Sequence, residues 1–175
     1  MATDPRPLRI CLTGPECTGK TELAERLARE LGVEWAPEFA REHAETCGHI
    51  LMAGDVEPIA RGEMSNLDRV TGDLAILDTD LLSTVVYARH YYGACPPWIE
   101  AEAHRRRASL YLLMDTDLPW TTDAVRDDDE SREDLFDAFR AALDELETRW
   151  EIISGVGEER WEAVRKAVRR FTESA

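Results

Sequence analysis

Lysine is almost missing from this chain: of 21 lysine and arginine residues among 175, only Lys20 and Lys166 are lysine. Positive charge as a whole is scarce. Against those 21 stand 36 aspartates and glutamates, a formal net charge of −15, which disfavours non-specific attachment to nucleic acid or to an anionic membrane. Long hydrophobic runs are absent too, since every apolar stretch is far short of the about 18 residues that span a bilayer. The segment from Met1 to Pro7 has no apolar signal-peptide core. The cysteines Cys11, Cys17, Cys47 and Cys95 are widely spaced and form no C-x-x-C pair, so free thiols in a reducing compartment are expected rather than a disulfide framework. No repeat and no Gly/Ser/Pro linker divides the chain, and its length suits one domain. The expectation is a single cytoplasmic domain spanning residues 1–175, with no nucleic-acid partner and no membrane insertion.

What is present is an alternation of two periods. Leu8 to Thr13 is a short apolar run of the kind that forms a strand buried on both faces. Beyond it Leu23, Ala24, Leu27, Ala28 and Leu31 recur at helical spacing, and Gly32 closes the helix. The same reading predicts strands at Val33 to Ala36, Leu74 to Asp78, Ser109 to Met114 and Glu151 to Ser154. Helices are predicted at Glu38 to Thr46, Glu57 to Val70, Leu81 to Tyr92 and Trp98 to Arg107, and through Phe136–Leu146 and Trp161–Phe171. Five strands alternating with helices imply an α/β fold, a mostly parallel sheet covered on both faces.

Between the first strand and the first helix lies Gly14-Pro15-Glu16-Cys17-Thr18-Gly19-Lys20-Thr21, a full match to G-x-x-x-x-G-K-[ST] in the context that motif requires. Gly14 and Gly19 let the backbone turn so that successive N–H groups face a phosphate, and the helix N-terminus adds its dipole. Lys20 is placed to reach the β- and γ-phosphates and Thr21 to ligate Mg²⁺. A nucleoside triphosphate, ATP with Mg²⁺, is the expected cofactor, and Lys20 the first catalytic candidate.

Carboxylates follow at the strand ends, where open α/β sheets bind ligands. Asp78 is placed to organise Mg²⁺. Asp80 either faces an acceptor substrate or caps the helix from Leu81, and Glu38 is either a general base or a first-turn glutamate favouring the helix dipole. The segment Asp123 to Glu147 holds eleven acids and three arginines, a net −8. Arg126 and Arg132 in it read either as catalytic lid arginines, in a lid at about 121–134, or as solvated ion-pair partners. His43, Cys47 and His49 are too few for a convincing metal site. Arg105, Arg106 and Arg107 read as a solvated face.

Taken together, these residues resemble the ribosylnicotinamide kinase domain of NadR-type NAD-biosynthesis proteins, from about Arg9 to Phe171. The carriers are the Gly14–Thr21 loop, Pro37-Glu38-Phe39-Ala40-Arg41-Glu42, Asp78-Thr79-Asp80 with Ser83-Thr84, Tyr91-Tyr92-Gly93, and Pro119-Trp120 with Asp123 and Arg126. Cys17 stands where the family usually has serine, and Ala124 where it often has glycine. The resemblance implies a P-loop kinase fold with a small lid and transfer of the ATP γ-phosphoryl to the 5′-hydroxyl of nicotinamide riboside. The larger family proteins add an adenylyltransferase domain, and a chain of this length is expected to be a stand-alone kinase. Glu38 and Asp80 would hold the ribose of the nucleoside partner. Trp120 would face its cationic ring, with Tyr92 or Phe39 on the opposite side.

Overall fold

A computed structural model describes residues 7–118 and 129–174. Five strands, β1 (Leu8–Thr13), β2 (Glu34–Ala36), β3 (Leu74–Asp78), β4 (Leu110–Met114) and β5 (Arg149–Ile153), form one sheet in the order β2-β3-β1-β4-β5. All four pairings are parallel, so the sheet is wholly rather than mostly parallel. Seven helices connect or flank the strands: α1 (Lys20–Leu31), α2 (Phe39–Cys47), α3 (Val56–Arg69), α4 (Leu81–Tyr92), α5 (Pro97–Arg106), α6 (Asp129–Glu145) and α7 (Glu158–Glu173).

The two-residue period of the strands divides the core. Ile10, Leu12, Ile76, Leu110, Leu112 and Met114 face one side, where Leu23 and Leu27 of α1 and Trp161, Val164 and Phe171 of α7 cover them. Cys11, Leu77, Tyr111 and Leu113 face the other, under Leu82 and Val86 of α4 and Phe139 and Leu143 of α6. A third cluster joins α3, α4 and α5 through Val56, Ala60, Val85 and Ile99. That α3–α4 seam forms one wall of the site described below.

Strand β1 is central, between β3 and β4. The chain after it therefore emerges where the sheet order reverses, the position at which open parallel sheets bind ligands. The helices predicted at Glu38–Thr46, Glu57–Val70, Leu81–Tyr92 and Trp98–Arg107 are found within a residue of those bounds, while α6 and α7 begin earlier than predicted. Helix α2 begins at Phe39, which makes Glu38 its N-cap rather than a first-turn residue. A 3₁₀ turn at Ala53–Asp55 has no apolar period and was not predicted. Among the described residues, no helix is long and apolar enough to cross a membrane, and the four cysteines are free.

Candidate active site

The loop Gly14–Thr21 leaves β1 and enters α1. Gly14 has φ 128°, and a Cβ there would stand 3.0 Å from the Met114 carbonyl oxygen, so both conformation and space require glycine. Cys17 (φ 56°) and Gly19 (φ 79°) complete the turn. The carbonyls of the loop are held by named donors. Lys20 Nζ donates to Gly14 O at 2.9 Å and Pro15 O at 2.6 Å, and Thr18 Oγ1 donates to Pro15 O at 2.8 Å. Arg132 donates to Cys17 O at 3.2 Å and Leu118 O at 3.0 Å. Arg160 donates to Thr18 O at 2.7 Å. An amide's N–H and C=O point oppositely, so pinning carbonyls outward leaves N–H groups free to face an anion.

Arg160 is 2% exposed and also donates to Gly155 O at 2.7 Å, to Asp115 O at 3.1 Å and to the Asp117 carboxylate. It thus ties α7 and the ends of β4 and β5 to the phosphate loop. Arg160→Ala leaves those acceptors unpaired in the interior and is expected to cost about 3 kcal/mol of stability. Thermal melting should show a fall of roughly 6–12 °C, with a weakened ATP KM in the same variant.

At the end of β3, Asp78 is 1% exposed; burial raises its carboxyl above the usual range, while the Thr21 hydroxyl on it works the other way. Its Oδ1 is buried without a hydrogen-bond partner. Asp80 is also buried, but both its oxygens are engaged: Oδ1 accepts from Leu82 N at 3.0 Å and Oδ2 from Tyr111 OH at 2.6 Å. Burial pushes it up to about 6. Of the two readings for Asp80, the cap of α4 is the one built into the structure.

Beside the loop a cleft open to solvent runs between α2, α3 and α4. Glu38, Glu63, Thr79, Ser83 and Thr84 line its polar end, and Tyr87, Tyr91 and Tyr92 its aromatic side. Burial raises the Glu38 carboxyl and neighbouring Lys20 opposes this, which places Glu38 between the phosphate loop and the cleft. Its Oε2 lies 3.8 Å from Arg41 Nε. Tyr92 lines the cleft and donates through its hydroxyl to Leu51 O at 3.0 Å. Phe39 does not line it: its ring packs on Gly62 of α3, where any Cβ would overlap it, and its N–H donates to Glu63 Oε1 at 2.8 Å. The ring expected to face the acceptor is thus turned onto α3 rather than into this cleft.

Met52 and Leu51 close the far end of the cleft on a segment held by Asp55. His43 Nε2 and His49 Nε2 lie 2.9 and 3.0 Å from the two Asp55 oxygens, and Met52 N donates to Oδ2 at 2.9 Å. Hydrogen bonding to His43, with help from Met52 N–H and His49, holds Asp55 at about 2. These histidines are loop staples. Among the described residues, no three His, Cys, Asp or Glu side chains gather as a metal site.

Trp120 and Arg126 lie outside the described residues, as does much of the lid expected at 121–134. Its last residues, from Asp129, belong to α6. Sequence reading missed Glu63, Tyr87 and Arg160, and carried Ser83 only as part of the family resemblance. Glu63 alone left a visible signal, a carboxylate at a core-facing position of α3 beside Ile59, Ala60 and Leu67.

The AAA domain family matches residues 9–160. The chain belongs to that family. The trifunctional NAD biosynthesis/regulator protein NadR of Escherichia coli (strain K12) is 26% identical over 126 residues, 67% of this chain and 30% of that protein. Crystal structures of NadR protein in complex with NR, and with NAD and AMP-PNP, match 95% of this chain at 24% identity. Their TM-scores are 0.83 and 0.79, over 52% and 50% of those chains. Thymidylate kinase from Ehrlichia chaffeensis matches at TM-score 0.70 and 15% identity, over 94% of this chain and 100% of that one. This AAA domain therefore has a P-loop kinase fold with NadR-type relatives, and it spans about 30% of the curated relative's length.

Proposed function

We propose that the chain is an ATP-dependent kinase that transfers the γ-phosphoryl to the 5′-hydroxyl of nicotinamide riboside, giving nicotinamide mononucleotide. The observation that carries this reading is the lining of the cleft. Its described residues include the buried Glu63 and the half-buried Glu38, three tyrosines and no lysine, arginine or histidine. Aromatic faces and carboxylates attract a cation, and nicotinamide riboside carries one in its pyridinium ring. Ser83 Oγ, buried without a hydrogen-bond partner on this wall, suits a ligand hydroxyl. The NadR relatives support the same reading.

In this scheme the amides of Gly14, Pro15, Glu16, Cys17, Thr18 and Gly19 cradle the ATP phosphates. Lys20 turns from its two carbonyls to the β- and γ-oxygens. Asp78 Oδ1, buried and without a partner, together with the Thr21 hydroxyl forms the hard-oxygen donor set that suits Mg²⁺. That ion, when bound, neutralises charge on the phosphates. Glu38 accepts the 5′-hydroxyl proton. Asp80 acts through position, fixing the start of α4 and so the Ser83–Thr84 wall. Arg132 holds the Cys17 carbonyl of the loop, and Arg126 and Trp120 are assigned to transferring phosphate and pyridinium on sequence grounds alone.

A coupled ADP assay across an acceptor panel tests the proposal. ATP consumption in step with added nicotinamide riboside, well above that with adenosine or uridine, is the expected result. Preference for a neutral nucleoside would overturn the acceptor, and acceptor-independent hydrolysis would favour a nucleotide-binding regulatory module.

A further inference from the structure

Glu63 is a carboxylic acid that the fold has buried and fixed. It is 6% exposed, lines the cleft, and cannot swing out to water, because its Oε1 accepts from Phe39 N while the Phe39 ring locks α2 onto Gly62 one residue earlier. The nearest charges that act on it are acidic, Glu38 at the start of α2 and Asp80 at the start of α4, and Glu63 in turn raises the buried thiol of Cys11 on β1. Tyr87, Tyr91 and Tyr92 stand along the cleft on α4. Lys20 stands next to Glu38. Among the described residues lining the cleft, no basic side chain neutralises Glu63.

Resting on the acceptor reading above, we propose that Glu63 is the specificity-determining residue of the cleft, releasing its proton to solvent as a cationic nucleoside enters and so coupling acceptor choice to charge. The empty site keeps the acid form: burial pushes Glu63 up to about 8, with the charges of Glu38 and Asp80 adding to the effect and the Phe39 and Ala40 N–H groups opposing it. A fixed positive ring in the same cleft reverses the balance, since a cation stabilises the carboxylate. A neutral ring of the same shape has no such effect. The coupling has a definite sign. Below about pH 8 the cation must displace a proton, so its apparent affinity rises as pH rises, by at most about tenfold per pH unit for one proton, and levels off above that pH.

The test compares nicotinamide riboside with benzamide riboside, which replaces the ring nitrogen cation by carbon and is neutral. The ratio of their kcat/KM values, measured from pH 6 to 9, removes any titration that acts on the chemical step for both. For the wild-type chain the ratio should climb towards pH 8 and then flatten. Glu63→Gln keeps an oxygen for Phe39 N–H and removes the ionisation. In that variant the ratio should lose its pH dependence and fall roughly tenfold at pH 8. Glu63→Asp, which keeps the charge, should restore a rising ratio, an outcome that a purely structural role of the side chain would not give.

A Glu63→Gln enzyme with the wild-type ratio and slope would overturn this inference while leaving the acceptor reading intact. A wild-type chain that prefers benzamide riboside at every pH would overturn both.

Discussion

Replacing Lys20 by alanine is expected to lower kcat at least about a hundredfold, because the ammonium is the loop's only cation placed to follow charge onto the transferring phosphoryl. The side chain is 9% exposed and spans the loop's mouth, with Nζ 2.9 Å from Gly14 O and 2.6 Å from Pro15 O. Two carbonyls are weak competitors for a cation compared with a triphosphate, so ATP is expected to draw Lys20 off them. The fold should survive the change, since Pro15 O keeps its donor from Thr18, and Cys17 O and Thr18 O keep theirs from Arg132 and Arg160. Steady-state kinetics together with a thermal melt separate the two effects. Turnover within a few-fold of wild type in a folded Lys20→Ala protein would remove the phosphate-loop assignment.

The second large effect is expected at Glu38. Glu38→Gln retains the N-cap position and the shape of the cleft wall but cannot take a proton, and a lost general base typically costs about a hundredfold or more in kcat. The pH profile gives the sharper readout. Burial raises this carboxyl above the ordinary glutamate value, so the wild-type kcat should fall on its acid side at a pH higher than a solvent-exposed glutamate would give. As pH falls through that raised value the base is lost to protonation. Glu38→Gln should abolish the acid limb along with the rate. Asp80→Asn is the comparison: with both oxygens already engaged by Leu82 N–H and Tyr111 OH, it should act mainly on stability. The opposite pattern, a lost limb in Asp80→Asn and an intact one in Glu38→Gln, would exchange the two roles.

Much of the fold was legible because its signals are local. Strand β3 at Leu74–Asp78 and helix α4 at Leu81–Tyr92 have the predicted bounds, each being one uninterrupted run of a single period. The phosphate loop is equally plain, since its eight residues are consecutive. What escaped is set by distance along the chain. Arg160 reaches Thr18 across 142 residues, and no spacing rule links an arginine in the last helix to a glycine-rich turn near the start. Glu63 acts on α2 from α3, through a hydrogen bond to a residue 24 positions earlier.

Charge was misread where ion pairs are long-range as well. Arg106, expected on a solvated face, has a side chain only 19% exposed and bonds both Glu102 and Asp68. Glu145, in the acidic segment, is paired with Arg89 of α4 rather than merely solvated. His43 and His49, too few for a metal site, had no role in the sequence because the partner that explains them, Asp55, sits on a short turn without a periodic signature. In each case the local pattern gave the element correctly and the tertiary partner decided the side chain's role.

The most direct test follows the phosphorus itself. The chain is incubated with γ-³²P-labelled ATP, Mg²⁺ and nicotinamide riboside, and the products are separated and identified by mass. The account predicts label in a compound with the mass and retention of nicotinamide mononucleotide, formed in step with ADP and absent in Lys20→Ala. Label found only in inorganic phosphate, or transferred to a neutral nucleoside in preference to nicotinamide riboside, would contradict it.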